Sequence, residues 1–216
     1  MINRRICLIK YDEAKKYIQE GDVLLFRGEG ILSKIIQSIG QGYYSHVGIA
    51  SWVYDEYGHK QYLECIEFRE WIGSRAISLN NYVNDNPNII DVFRPIPQYK
   101  EYIFCCKQRN PIIIDKVFDG KLLTTEFREL TGLPYGWSRI FWLARFHILG
   151  LRLLSWSEGI EDEDKSREFY PVCSTIVAHL FAKHYTKLLR FRSSARTEPS
   201  DISRSPILNY MFTLVP

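Results

Sequence analysis

The residue of greatest chemical interest is Cys173, in the run Tyr170-Pro171-Val172-Cys173-Ser174-Thr175-Ile176-Val177-Ala178. Pro171 discourages helix before it, and the apolar run after it predicts a helix, which puts Cys173 at a helix N-terminus. A thiol there feels the positive end of the helix dipole and the unpaired amides of the first turn, both of which favour the thiolate. The same amides can stabilise an oxyanion, so one turn of backbone offers an activated nucleophile and transition-state binding together. Alone, such a cysteine reads as a small buried hydrophobe, and partners must give it a chemical role. The candidate base is His46, in Tyr44-Ser45-His46-Val47-Gly48-Ile49-Ala50, where alternation predicts a strand and Gly48 permits close backbone approach. Glu64, in Tyr62-Leu63-Glu64-Cys65-Ile66 on the expected neighbouring strand, is the carboxylate expected to orient His46. His59 falls in a turn, and His147, His179 and His184 fall on helices without an acidic pattern; all four read as structural.

These residues need elements to hold them. Tyr11–Glu20 reads as a short helix stopped at Gly21, Asp22–Phe26 as a buried strand, and Ile31–Ile39 as a helix with apolar residues at helical spacing. Ser45–Tyr54, Gln61–Phe68, Arg75–Leu79 and Ile89–Phe93 are β-branched and aromatic runs separated by turn signals, and a meander is their economical topology. Helices are expected over Gln98–Gln108, Gly120–Thr131, Trp137–Leu154 and Cys173–Leu189, with an acidic loop at Glu158–Glu168 and a closing strand at Ile207–Leu214. No internal repeat or linker interrupts the chain, so residues 1–216 are expected to form one α+β domain.

Composition narrows the function classes. With 216 residues, 46% of them apolar and 25% charged, the chain can bury a large core without disulfides or metals. A formal net charge of +3 is too small to suggest a phosphate-binding footprint, so no nucleic-acid partner is expected. Five cysteines without a CxxC pair argue against a disulfide framework and a zinc site; no metal and no cofactor are expected. Residues 1–16 lack the apolar stretch of a secretory signal, and Ile140–Trp156 is broken by Arg145, His147 and Arg152, so a cytoplasmic protein without a spanning helix is expected.

Several motifs in one order resemble a known family. Gly21-Asp22-Val23-Leu24-Leu25-Phe26, then Ser45-His46-Val47-Gly48-Ile49-Ala50, then Leu63-Glu64, resemble the successive strands of the NlpC superfamily of papain-like cysteine peptidases. Because Cys173-Ser174 follows the histidine strand instead of preceding it, the chain resembles the circularly permuted, YiiX/YebB-like branch. Gly132-Leu133-Pro134-Tyr135-Gly136-Trp137 is similar to the Gly-x-Pro-Tyr element before the family's cysteine, and Glu198-Pro199-Ser200-Asp201-Ile202 to its closing Pro-x-Asp-Leu turn. The resemblance implies a permuted papain-like fold, an antiparallel sheet or barrel-like core packed against helices. It implies Cys173 as nucleophile, His46 as base, Glu64 as orienting residue and Tyr135 beside the oxyanion. Ser174 and Tyr44 are expected to line the same substrate or oxyanion side.

The chemistry so implied is cysteine-dependent hydrolysis or acyl transfer at an amide or ester, with a peptide, isopeptide or lipid-like substrate. The alternative is a non-catalytic module that holds a lipid or peptide in the same cleft. An insert at about 138–168 separates Tyr135 from Cys173, where the family has a short link. Its apolar helix, with Phe141, Trp142, Phe146, Leu149, Leu153 and Trp156, reads as core packing or as a peripheral membrane contact through 139–156.

Overall fold

The computed structural model describes residues 7–28, 31–39, 42–85, 89–103, 111–135, 173–189 and 193–215. Strand β1 (Leu8–Lys10) leads into helix α1 (Tyr11–Ala14), a 3-10 turn (Lys15–Tyr17) and β2 (Val23–Arg27). Helix α2 (Ile31–Ile39) precedes β3 (His46–Tyr54), β4 (Lys60–Arg69) and β5 (Gly73–Ser78). Then come α3 (Leu79–Asp85), β6 (Ile89–Pro95), β7 (Gln98–Ile103), β8 (Ile112–Val117) and α4 (Gly120–Glu129). Helix α5 (Cys173–His184), a 3-10 turn (Ser194–Arg196), α6 (Pro199–Ile202) and β9 (Leu208–Val215) complete the described elements.

The main sheet has seven strands in the order β1-β9-β6-β2-β3-β4-β5, antiparallel except for the β1–β9 pair. Both faces are covered, which is why β2 reads as an unbroken apolar run, Val23-Leu24-Leu25-Phe26, every residue of it buried. Val23, Leu25, Val47, Ile49, Ile66, Phe68 and Phe93 form one core with α4 and α5, where Phe68 stacks on Phe127 at 6.0 Å. The other face sends Leu24, Phe26, Ala50, Leu63, Cys65 and Val92 against Tyr11, Ala14 and Tyr82 from α1 and α3.

Turn chemistry fixes where β2 begins. Gly21 sits at φ +83, the left-handed region glycine adopts without strain, and a Cβ there would lie 2.7 Å from Phe118. Asp22 then ties the turn down: its Oδ2 accepts from the Gln19 amide at 2.8 Å, and Arg94 grips both oxygens, at 2.9 and 2.7 Å. At the far end, Glu198 and Asp201 form a capping box around α6, with Pro199 in its first turn.

The mixed α+β class matches the sequence reading, but three elements differ. The expected helix over Gln98–Gln108 is strand β7, paired with β8 in a separate hairpin. Lys100 and Glu101 are good helix formers, yet exposure alternates along residues 98–102, exposed then half-buried, and the strand meets Ile112-Ile113-Ile114 across the hairpin. The expected meander holds for β3, β4 and β5 only; β6 crosses over to pair with β2 and β9. Leu79 ends no strand but opens α3 in what reads as a turn cluster. The expected helix at Trp137–Leu154 and the insert at 138–168 lie outside the described residues.

Candidate functional site

Cys173 is the first residue of α5, whose next five residues, Ser174 to Ala178, are all buried. The helix packs on β3 and β4, so its N-terminal thiol, only 4% exposed, is brought to the start of β3, where His46 opens the strand. His46 is itself buried and lies 5.3 Å from the Phe26 ring, centroid to centroid.

The imidazole is held from its far side by Glu67, whose Oε2 lies 2.6 Å from Nε2. The strand register explains this pairing. Glu67 faces Gly48 across β3–β4, and Gly48 stands two residues from His46 on the same face of the sheet. Glu67 therefore reaches His46 on the diagonal, over a position that carries no side chain. A Cβ on Gly48 would meet the Cys65 sulfur at 2.4 Å and lie 3.5 Å from the Glu67 Cβ.

The second Glu67 oxygen is taken by Arg75, which faces Glu67 directly across β4–β5. Arg75 Nε donates to Oε1 at 2.8 Å and Nη2 lies 2.7 Å from the same oxygen. Burial alone would raise the Glu67 carboxyl, but His46 and Arg75 outweigh it and hold its pKa below the ordinary value. An ionised Glu67 can only accept, so Nε2 carries the proton and Nδ1 is the ring nitrogen left without a partner on the Glu67 side.

Burial would likewise depress the His46 pKa, but the nearby charges of Cys173 and Glu67, with the Glu67 hydrogen bond, push it up to about 10. Nδ1 makes no aligned hydrogen bond among the described residues. Cys173 thus acts on the ring as a close neighbour without the fixed alignment that catalytic pairs commonly gain only with substrate. Tyr135 closes the group: it is buried and hydrogen-bonded with Cys173, and burial together with the charges of Cys173 and Glu70 raises its pKa, leaving the phenol a proton donor.

Of the residues expected from sequence, Cys173, His46 and Tyr135 are brought together, and Ser174 is buried beside Cys173 as the second residue of α5. Two expectations are corrected. Glu64 does not orient His46: it faces Ser51, five residues along β3 from His46 and on the opposite face, and pairs with Arg128 at 2.6 Å without an aligned hydrogen bond. Tyr44 does not line the reacting side either. Its hydroxyl donates to buried Asp91 at 2.5 Å, its ring packs edge-on against Phe93, and its amide donates to Ser200. Glu67 and Arg75 are the site residues that sequence reasoning missed; the signal lay in the β3–β4 hairpin, which carries a bulge.

That bulge falls where pairing changes from Tyr54–Lys60 to Val53–Tyr62. Continued unbroken from Tyr54–Lys60, the ladder would set Glu64 opposite Ala50, on the face of His46. The extra residue moves Glu64 opposite Ser51 and Glu67 opposite Gly48.

Fold and site together define a mixed α+β protein whose large sheet carries a buried histidine–carboxylate pair against a cysteine at a helix start. A protein of similar architecture is the metalloprotein yiiX from Escherichia coli O157:H7: its crystal structure matches over 92% of this chain and 98% of its own, with a TM-score of 0.52 and 14% sequence identity. At that identity the likeness is one of fold. No protein-family model and no curated protein matches the chain. Among the described residues of this chain, no three or more His, Cys, Asp or Glu side chains are grouped to hold a metal ion. No helix among them is long and apolar enough to cross a membrane.

Proposed function

We propose that the chain is a cysteine-dependent hydrolase or acyltransferase of the permuted papain-like kind, acting on an amide or ester bond of a peptide or lipid-like substrate. The observation that carries this reading is the buried line Cys173, His46, Glu67, with Tyr135 on the thiol. It supplies each part that acyl transfer through a thiolate requires.

In the first half-reaction the Cys173 sulfur attacks the carbonyl carbon, and the carbonyl π electrons move onto oxygen. The helix-start amides and the Tyr135 phenol are the donors available to that oxyanion. As the tetrahedral centre collapses, His46 gives its Nδ1 proton to the leaving amine or alcohol, and a thioester remains on Cys173. Water or another acceptor then loses a proton to His46 while attacking the thioester, and the acid or transferred acyl group leaves with the thiolate restored. Glu67 accepts from Nε2 throughout, which keeps Nδ1 as the nitrogen that exchanges protons.

The test is peptide-resolved labelling of Cys173 by iodoacetamide from pH 5 to 9, on the wild type and on His46→Ala. A His46-paired thiolate labels rapidly well below the range in which a free thiol ionises, and the substitution removes that reactivity. Labelling no faster than a free thiol in both proteins would reject the reading and leave a binding cleft. Cys65 serves as internal control, since burial pushes its thiol well above the ordinary value.

A further inference from the structure

Building on the catalytic reading above, we infer that Arg75 is a positioning residue for the Cys173–His46 pair, acting through Glu67. The geometry that points to it is a division of labour between the two carboxylate oxygens. Oε2 receives His46 Nε2 at 2.6 Å, while Oε1 receives Arg75 Nε at 2.8 Å and Nη2 at 2.7 Å. With each oxygen taken by a different strand, the carboxylate plane cannot rotate or swing without breaking a charged contact. The Glu67 side chain has no solvent exposure, so no water can replace either partner cheaply.

The need for a second cation follows from the proton cycle. His46 must alternate between imidazolium and imidazole. Each time it gives up its proton, with Arg69 acting only from a distance, a Glu67 without Arg75 would be a buried charge with no cation bonded to it. It would then take up a proton and donate to Nε2, which forces the imidazole proton onto Nδ1. That tautomer presents N–H to the sulfur and cannot act as its base. An arginine does not titrate, so Arg75 keeps Glu67 an acceptor in both halves of the cycle.

The other groups facing Glu67 do not substitute for Arg75. On β4, Arg69 is near enough to feel the Glu67 charge, but its guanidinium is engaged with Tyr82, donating to the hydroxyl and lying over the ring at 5.4 Å, so it bonds neither carboxylate oxygen; Cys65 is a buried thiol kept neutral. From α3, Tyr82 is buried and held in its neutral form by burial and by the charge of Glu67. From β2, Phe26 is apolar, and Cys173 on α5 is an anion when charged, so it cannot stand in for a cation beside Glu67.

The experiment is the pH profile of Cys173 labelling in Arg75→Gln and Arg75→Lys, alongside wild type and His46→Ala, with melting temperatures measured in parallel. Losing the charge lets Glu67 protonate at higher pH, so in Arg75→Gln the acid limb is expected to move up by at least one pH unit. The rate at pH 6 should fall about tenfold or more. Arg75→Lys keeps the charge without the fork and should restore the acid limb to within a few tenths of a unit, at about a threefold lower rate. Nitrogen NMR of the His46 ring in Arg75→Gln should show the proton moved toward Nδ1 in the neutral form. A lower melting temperature with an unchanged acid limb and rate would overturn the inference, because a merely structural arginine does just that. Should Arg75→Gln fail to fold, an unchanged rate in Arg75→Lys would also overturn it. If wild-type Cys173 itself labels like a free thiol, the catalytic reading has failed and this one falls with it, an outcome separate from a failure confined to the Arg75 variants.

Discussion

Two glutamates three residues apart on one strand make opposite predictions. Glu67→Gln should cripple the thiol; Glu64→Gln should not. The size of the first effect follows from the 2.6 Å contact between Glu67 Oε2 and His46 Nε2 in a fully buried setting. The centres of the two charges lie about 4 Å apart, which at an effective dielectric of about 20 is an attraction of about 4 kcal/mol. Arg75 shares the carboxylate and glutamine keeps a hydrogen bond to the ring, so about 2–3 kcal/mol should actually be lost. At 1.36 kcal/mol per pKa unit, that lowers the proton affinity of His46 by roughly 2 units. The balance between thiolate–imidazolium and thiol–imidazole shifts by the same factor, and labelling of Cys173 at pH 6 should slow by roughly 10- to 100-fold. Glu64→Gln removes a contact to a partly exposed Arg128 on the other face of the sheet, and labelling should stay within about twofold of wild type. The assay is stopped-flow or quenched alkylation with mass-spectrometric readout at Cys173, with circular dichroism to confirm folding. Equal effects from both substitutions, or an effect of Glu67→Gln below about twofold, would refute the assignment of Glu67.

Further expectations concern the scaffold. Asp91→Asn should destabilise the protein by about 3–5 kcal/mol in urea unfolding, because Arg27, the Tyr44 hydroxyl and the Thr213 hydroxyl all converge on this fully buried carboxylate. Gly48→Ala should be destabilising by about 1–3 kcal/mol from overpacking against Cys65, and Cys65→Ala in the same chain should recover most of that, as a double-mutant cycle would show. Stability should also depend on pH in both directions. The raised His46 pKa contributes stability that is full below its ordinary 6.5 and is lost as pH climbs toward about 10. The lowered Glu67 pKa contributes stability that is present above its ordinary 4.5 and is lost as pH falls below it. Because each group supplies part of the other's shift, urea unfolding across pH 4 to 10 should show the alkaline limb lost in His46→Asn with the acid limb reduced, and the acid limb lost in Glu67→Gln with the alkaline limb reduced.

How far the sequence could be read is set by which interactions are local. The helix start at Cys173, the strand at His46 and the turn at Gly21-Asp22 are each written in a few adjacent residues: a proline, an alternation, a glycine before a capping acid. The partner of His46 depends instead on register between two strands, and register there turns on one bulged position in a hairpin whose composition does not mark it. A reading by alternation alone lands on Glu64, which is where an unbulged ladder would have placed the carboxylate. Tyr44 shows a related limit. Its nearness to His46 in sequence suggests the reacting side, but Asp91, on a strand two places away in the sheet, captures its hydroxyl. The β7–β8 hairpin was hidden by the helix-forming residues Lys100 and Glu101, which the pairing with β8 overrides.

The sheet buries four carboxylates, Asp22 at the head of β2, Glu64 and Glu67 on β4 and Asp91 on β6, and the cations beside them distinguish the site from the scaffold. Asp22 is held by Arg94, Glu64 by Arg128 and Asp91 by Arg27, guanidinium groups that stay charged at every pH the protein meets. Such pairs fix geometry and can do nothing else. At Asp91 the Tyr44 phenol is a further partner, held in its protonated form by burial and by the carboxylate beside it. Among the described residues, Glu67 is the one of the four also paired with a histidine, and that histidine lies against a cysteine at the start of a helix. Adding Arg75 to the same carboxylate combines the two designs: one oxygen is locked as in the scaffold pairs, and the other is left to follow the charge on His46.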